Sequence, residues 1–482
     1  MAPANVRMLV LSRGGMDFVD EKEEVYMEQE HDFSQGSIAK NILNLAIPMT
    51  LAQLINVLYS IVDRIYIGHL ADVSANALTG IGLALPVITI ITAFANLFGM
   101  GGAPLCSIAR GGHEEAKAEK VMGNSFSMLL ITGTSLMFLC FLFRRPLLYL
   151  FGASSATFPY ANAYLCIYLC GTIFVMISLG MNQFINSQGF GKIGMLTVML
   201  GAVTNLLLDP VLIFGFHMGV QGAALATVIS QGLSAVWVLK FLTGKKAILH
   251  LNSKSMRLDK RLVKEITLLG TSGFVMAVTN GLVQIVCNAT LQKYGGDVYV
   301  GIMTVINSMR EIVTMPVTGL TAASQPVIGY NYGAGCYFRV KSAIRFTAIG
   351  CIVFTTVIWA VLFLEPQFFL RLFTSEPGIL QHGVLAVRIY FCGIFMMALQ
   401  FAGQSTAVAL NRAKQAVFFS LFRKVIIVIP LTMLLPVIGD LGTNGVFLAE
   451  PISNVIGGTA CFVTMLLTIW PQLNEEPENP EK

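Results

Sequence analysis

Asp209 stands within "TNLLLDPVLIFGF" (204–216), a run whose other members are mostly apolar. A carboxylate in a segment of that kind is costly to insert, so it must face a cavity, an ion or a partner. Asn205 precedes it by one helical turn and shares its face, within hydrogen-bonding reach. Pro210 follows and has no N–H to give the carbonyl of Leu206, so that oxygen is left free. Carboxylate, amide and loose carbonyl together suit the binding of a proton or a monovalent cation. A second acid, Asp63, lies in "YSIVDRIYIG". It sits about five residues from the far end of its apolar run and Asp209 about six from the end of its own, so at 1.5 Å per residue both lie roughly 8–9 Å below the same edge of the hydrocarbon. Two carboxyls at one height can share a water-filled pocket and hold and release a proton there. The competing assignment pairs Asp209 with Arg64 as structural glue.

Other polar side chains fall at helical spacing. Asn56, Tyr59, Ser60 and Asp63 share one face, as do Asn182 and Asn186 (with Gln183 beside them), and Asn280, Gln284 and Asn288. Such stripes either line a cleft or bond helices to one another. Glu311 falls near the middle of its run beside Arg310, with the same two assignments open. Glu450-Pro451 repeats the acid–proline pair in the second half. Arg423 and Lys424 are expected to snorkel to the cytoplasmic end of their span. That leaves four interior acids (Asp63, Asp209, Glu311, Glu450) against two interior bases (Arg64, Arg310), a balance that favours cationic cargo.

These residues need helices to carry them. The chain has 482 residues, of which 55% are hydrophobic and only 12% charged, against about 25% charged in soluble proteins. That composition places it among membrane proteins. A hydrocarbon core of about 30 Å needs roughly 20 apolar residues per helix. Apolar runs near 44–68, 77–101, 121–143, 160–187, 193–215, 220–242, 264–292, 298–322, 343–364, 384–410, 416–438 and 444–470 predict twelve spans. Most of the 31 Lys and Arg fall on the side of the termini, including Lys245, Lys246, Lys254, Arg257 and Arg261 between the sixth and seventh spans. The positive-inside rule then puts both termini and that loop in the cytoplasm, with no need for a nucleic-acid partner. The halves echo each other at an offset of about 222 residues: "YLCGTIF" (168–174) with "YFCGIF" (390–395), "MGVQGAALAT" with "LGTNGVFLAE", Lys192 with Lys414. Six spans per half insert in the same sense, so the repeats are parallel about an axis along the membrane normal. The expected parts are a polar N-terminal tail (1–37), an N-lobe (38–243), a basic linker (244–262), a C-lobe (263–470) and an acidic tail (471–482). The fold expected is all-α integral membrane, two pseudo-symmetric six-helix bundles around a central cleft.

Some chemistry is missing from the sequence. It holds no G-x-x-x-x-G-K-[ST] for nucleotide phosphates, no H-E-x-x-H and no G-x-S-x-G. The nine cysteines show no C-x-x-C spacing and read as small buried hydrophobes. An enzyme is not expected, nor a catalytic residue, bound metal or cofactor beyond the coupling ion.

Four motifs taken together resemble the multidrug and toxic compound extrusion (MATE) family, and within it the MepA-like branch of bacteria: "VDRIYIGHL" (62–70), "LFGMGGAPLCSIARG" (97–111), "NLLLDPVLIFGFHMGVQGAALATVISQG" (205–232) and "QPVIGYNYGA" (325–334). The similarity runs from about residue 38 to 470. It implies two lobes of six helices, rocker-type alternating access, and secondary antiport. Amphipathic, cationic drugs or toxic metabolites would be exported across the cell (inner) membrane against protons or sodium. It also implies an N-lobe ion site on the positions Asp63, Asn205 and Asp209. Another branch keeps coupling acids on the seventh and tenth helices. Here the seventh offers only Asn280, Gln284 and Asn288 and the tenth has no acid, so coupling is expected in the N-lobe. A monomer is expected. The rival function is a lipid-linked-oligosaccharide flippase of related architecture, whose anionic cargo would want a cationic cleft.

Overall fold

The computed structural model describes residues 32–68, 74–374 and 376–474, without the side chains of Ser60, Arg64, Ile65, Ile67 and residues 74–78. The sequence's tails, most of "VDRIYIGHL" beyond residue 63 and the Asp209–Arg64 pairing therefore lie wholly or partly outside the described residues. All the elements are helical. In the first half, α1 is Ile38–Gly68, α2 Ser74–Gly111 and α3 Glu115–Leu142. α4 comes in two pieces, Phe158–Cys170 and Thr172–Ser187. α5 is Gly191–Pro210, continued as a π-helix over Val211–Gly215, and α6 is Val220–Leu242. A continuous helical run, Lys260–Gly333, follows. Its 74 residues would extend about 110 Å at 1.5 Å each, far more than one crossing needs. It is broken at Gly296, whose φ of 68° and ψ of −164° are open only to glycine, and forms α7 and α8. The second half continues with α9, Tyr337–Leu364, then α10 in two pieces, Pro377–Phe391 and Ile394–Ala409. α11 is Ala413–Leu421, a π-helix Phe422–Val428 and Ile429–Leu434, and α12 is Gly442–Thr468. Counting α7 and α8 apart and each bent pair once is consistent with twelve crossings among the described residues.

The two bent helices show the repeat in three dimensions. α4 turns by 57° and α10 by 42°, at Gly171 and Gly393, which lie 222 positions apart. Each glycine is pressed by the last helix of its own half. A Cβ on Gly171 would stand 2.6 Å from Val228 Cγ2, and one on Gly393 3.1 Å from Pro451. The outer faces carry bare apolar side chains such as Leu142, Ile285 and Leu467, each about 70% exposed. That exposure is prohibitive in water and natural in lipid.

The halves meet through α1, α2, α7 and α8. A Cβ on Gly270 would lie 1.8 Å from the carbonyl oxygen of Leu97, one on Gly111 1.9 Å from that of Tyr330, and one on Gly333 2.0 Å from that of Ile108. Backbone therefore packs on backbone, toward the ends of α2 and α8 and the start of α7. The segment before α1 straps this side. Arg339 donates to the carbonyls of Phe33, Gln35 and Gly36 at 2.8–3.0 Å. Asn331 donates to Phe33 as well, and Arg110 stacks over Phe33 and Tyr330. The loop between α6 and α7 covers the same end. It buries Leu249 and Leu251 and bonds Asn124 through Ser255, Arg257 and Asp259. The lobes are thus packed against each other at the end that carries this loop.

Candidate functional site

Two repeat-related cavities flank the lobe boundary. The N-lobe cavity, about 150 Å³, is lined by Asn56 and Tyr59 from α1, Asn182, Gln183 and Asn186 from α4, Asn205 from α5, and Thr227 and Gln231 from α6. Among the described residues no charged side chain lines its wall, which mixes these amides and hydroxyls with apolar residues such as Met49, Leu179 and Val198. Asn182 Nδ2 donates to the carbonyl of Gly194 at 3.2 Å, while Asn182 Oδ1 and Asn186 Oδ1 are buried and receive no donor. Ser178 donates to Gln231 Oε1 at 2.5 Å. The small residues Gly201 and Ala202 leave the room, with Ser234 behind Gly201.

Asn205 leads from this cavity to the carboxyls. Its Nδ2 spans Asp209 Oδ1 at 3.4 Å and Thr227 Oγ1 at 3.5 Å. Thr227 spends its own proton on the carbonyl of Ala223 at 3.0 Å, so toward Asn205 it can only accept; the buried Tyr164 lies beside it. Asp209 is 1% exposed. Its Oδ2 is buried with no donor among the described residues, and the carboxyl within hydrogen-bonding reach of it is that of Asp63. Two ionised carboxylates can only accept, so this contact closes only if one of them carries a proton. Tyr164, on the first piece of α4, and Thr227 are absent from the sequence-derived site. A tyrosine among other aromatics and a threonine in an Ala-rich helix give no signal until the helices are packed.

The second cavity, about 420 Å³, lies in the C-lobe and is lined by Asn280, Gln284, Asn307, Arg310, Glu311, Gln400, Arg423 and Lys424, among others. Asn288 lines neither cavity, and Ser60 lies outside the described side chains. Thr318, on the wall of the C-lobe cavity, donates to Gln53 Oε1 of the N-lobe cavity at 2.9 Å.

Arg423 and Lys424 do not snorkel. They are 6% and 2% exposed. The π-helix of α11 and Pro430 just beyond it set both side chains against α12, and both reach Glu450. Lys424 Nζ stands 2.9 Å, Arg423 Nη2 3.4 Å and Arg310 Nη1 3.9 Å from the same oxygen, Glu450 Oε1. The expectation failed because pairing with a buried acid on another helix outweighs the reach to the headgroups. The interior count is therefore four acids to four bases, and the charge argument for cationic cargo falls.

One sequence-family model, described as MatE, matches the chain twice, over residues 48–211 and 273–434. The chain belongs to the MatE family. It is similar to a multidrug export protein MepA of Staphylococcus haemolyticus, 27% identical over 403 residues, covering 83% of this chain and 88% of that protein. A multidrug export protein MepA of Staphylococcus saprophyticus is 25% identical over 445 residues, covering 92% and 96%. Among solved structures, an outward-facing multidrug resistance MATE family transporter of the MOP superfamily superposes with a TM-score of 0.85 at 21% identity, covering 92% of this chain and 98% of that one. This protein is a multi-pass membrane transporter with the MATE fold.

Proposed function

We propose that this transporter is a secondary antiporter of the cell membrane. It exports amphipathic cationic drugs or metabolites in exchange for protons held between Asp63 and Asp209. The observation that carries the reading is that the two carboxyls are neighbours, with Asp209 Oδ2 buried and receiving no donor among the described residues. A proton arriving from the open side bridges the pair. When it leaves, two adjacent negative charges repel and attract a cation into the neighbouring cavity, where Asn182 Oδ1 and Asn186 Oδ1 offer carbonyl oxygens. Cation and proton thus compete for one charge, which is what antiport requires. The loop between α6 and α7 and both termini are taken as cytoplasmic, on the Lys and Arg of that loop, so the packed end described above faces the cytoplasm and access is read as coming from the outside. The cargo class is supported by the names of the staphylococcal relatives, and no longer by a count of interior charges.

The test is dye efflux from proteoliposomes with the pH and sodium gradients imposed separately. Wild type should respond to the pH gradient alone, and Asp209→Asn should abolish that response while eluting as a folded monomer. Drive by sodium alone would transfer the site to that ion. Undiminished pH-driven transport by the variant would refute the carboxylate role.

A further inference from the structure

The two cavities occupy equivalent places in the repeat but differ in charge. At the offset that carries Lys192 onto Lys414, the N-lobe wall residues Ser178, Leu179, Val198, Gly201 and Ala202 become Gln400, Phe401, Ser420, Arg423 and Lys424, all on the C-lobe wall. The same helix crossing is thus built twice. In the N-lobe Gly201 meets Ser234. In the C-lobe the bulk is exchanged, and Arg423 meets Gly457, whose added Cβ would lie 2.9 Å from Arg423 Cγ. The fold itself needs no charge at this crossing. The C-lobe nevertheless places three cations on one carboxylate oxygen, that of Glu450, while Glu311 is the acid that lines the cavity itself. Glu450 and Asn454 engage Arg423 at two of its nitrogens, while its Nε is buried without a partner. Arg310 is the outermost of the three, with its side chain 28% exposed, and on the far side its N–H groups face the Tyr390 hydroxyl oxygen, which can only accept from them. Surplus positive charge in a span is costly unless an anion completes it.

We propose that the C-lobe cavity is an anion subsite that receives a carboxylate of the cargo, with Arg310 as its outer contact and the Lys424–Arg423 pair behind. The cargo is then a zwitterion. Its cationic part lies toward the N-lobe carboxyls and its anionic part toward Arg310, across the Gln53–Thr318 bond where the cavities adjoin. The inference extends the proposed export function but does not need the coupling step, because binding is read at equilibrium with no gradient.

The probes are rhodamine B, a zwitterion with a free carboxylate, and its ethyl ester, which lacks it. Their affinities for the full-length protein in phosphatidylcholine nanodiscs are measured by fluorescence anisotropy. Wild type should prefer the acid. Arg310→Gln should cut that preference about tenfold, and Glu450→Gln, which removes a negative charge from beside the subsite, should raise it. Melting temperatures check that both variants are folded. If both dyes change in parallel in each variant, the cluster only holds α11 to α12 and the proposal fails. If phosphatidylglycerol added to the nanodiscs displaces the acid, the cavity serves a lipid phosphate and the proposal fails too. Loss of proton coupling in Asp63 or Asp209 variants would leave this dye comparison unaffected, so the two readings fail separately.

Discussion

A single methyl group at the lobe boundary should change which way the transporter faces. In Gly270→Ala the new Cβ would stand 1.8 Å from the carbonyl oxygen of Leu97, where ordinary contact begins near 3.4 Å. The obstructing atom belongs to the backbone of α2, so no rotamer change relieves it. The helices must separate by about 1.6 Å locally, and Gly101, whose own Cβ would lie 2.8 Å from Gly270 N, shows that the neighbouring turn has no slack. Overpacking of this kind costs about 1–3 kcal/mol. If the transporter alternates between two facings as proposed, this contact is lost when this side opens, and that energy goes into the balance between them, a shift of about 5- to 150-fold. The assay is electron–electron distance measurement between spin labels at Lys117 and Phe338, both exposed and on opposite lobes at the strapped end. The long-distance population should grow in Gly270→Ala. It should stay unchanged in Gly273→Ala, whose Cβ would meet only Met100 Sδ, at 3.9 Å. Matching distance distributions for Gly270→Ala and wild type would show that this seam does not set the conformational balance.

Other perturbations follow from the same contacts. Thr227→Val removes the oxygen that accepts from Asn205, leaving that donor with one partner fewer beside Asp209 at a cost of about 1–3 kcal/mol, so the pH dependence of dye efflux should move; an unmoved profile would remove Thr227 from the site. Arg339→Ala deletes the bonds to the carbonyls of Phe33, Gln35 and Gly36 and should speed amide exchange over residues 33–41, measured by mass spectrometry. The strap should also respond to acid. Burial pushes the Asp32 carboxyl up, but hydrogen bonds from the Ser34 hydroxyl and backbone, from Tyr330 and from Gln35 outweigh it and hold it below the usual 3.8. A depressed pKa contributes stability that is present above 3.8 and lost as pH falls through the folded value. Exchange over this segment should therefore be flat from pH 8 to 5, after correction for the intrinsic rate, and should rise only below about pH 4.

Much of the architecture is legible in residue order, because lipid demands long apolar runs and the parallel repeat leaves Gly171 and Gly393, and Lys192 and Lys414, at one offset. The ends of the helices are not. α2 continues to Gly111 and α8 to Gly333, some ten residues past the runs ending at 101 and 322. The extra turns, "GAPLCSIARG" and "AASQPVIGYNYG", are small and polar because they pack lobe on lobe instead of facing lipid. Asp63, Asn205 and Asp209 stand out as polar atoms where hydrocarbon is expected, and their spacing gives depth. Sequence cannot say which neighbour a buried base selects. Arg423 and Lys424 read as interfacial by position, yet lie against Glu450, a residue on another helix. Tyr164 and Thr227 carry no mark of their own, and only the packing of α4 and α6 against α5 brings them to the carboxyls.

The central claim is that one proton bridges Asp63 and Asp209 and is exchanged for cargo. The most direct measurement is proton release on binding. Purified protein in weakly buffered detergent near neutral pH is mixed with a cationic dye in the presence of a soluble pH indicator. Wild type should release close to one proton for each dye bound, and Asp209→Asn should release none while still folded. Dye binding without proton release in wild type, or equal release from the variant, would contradict the account.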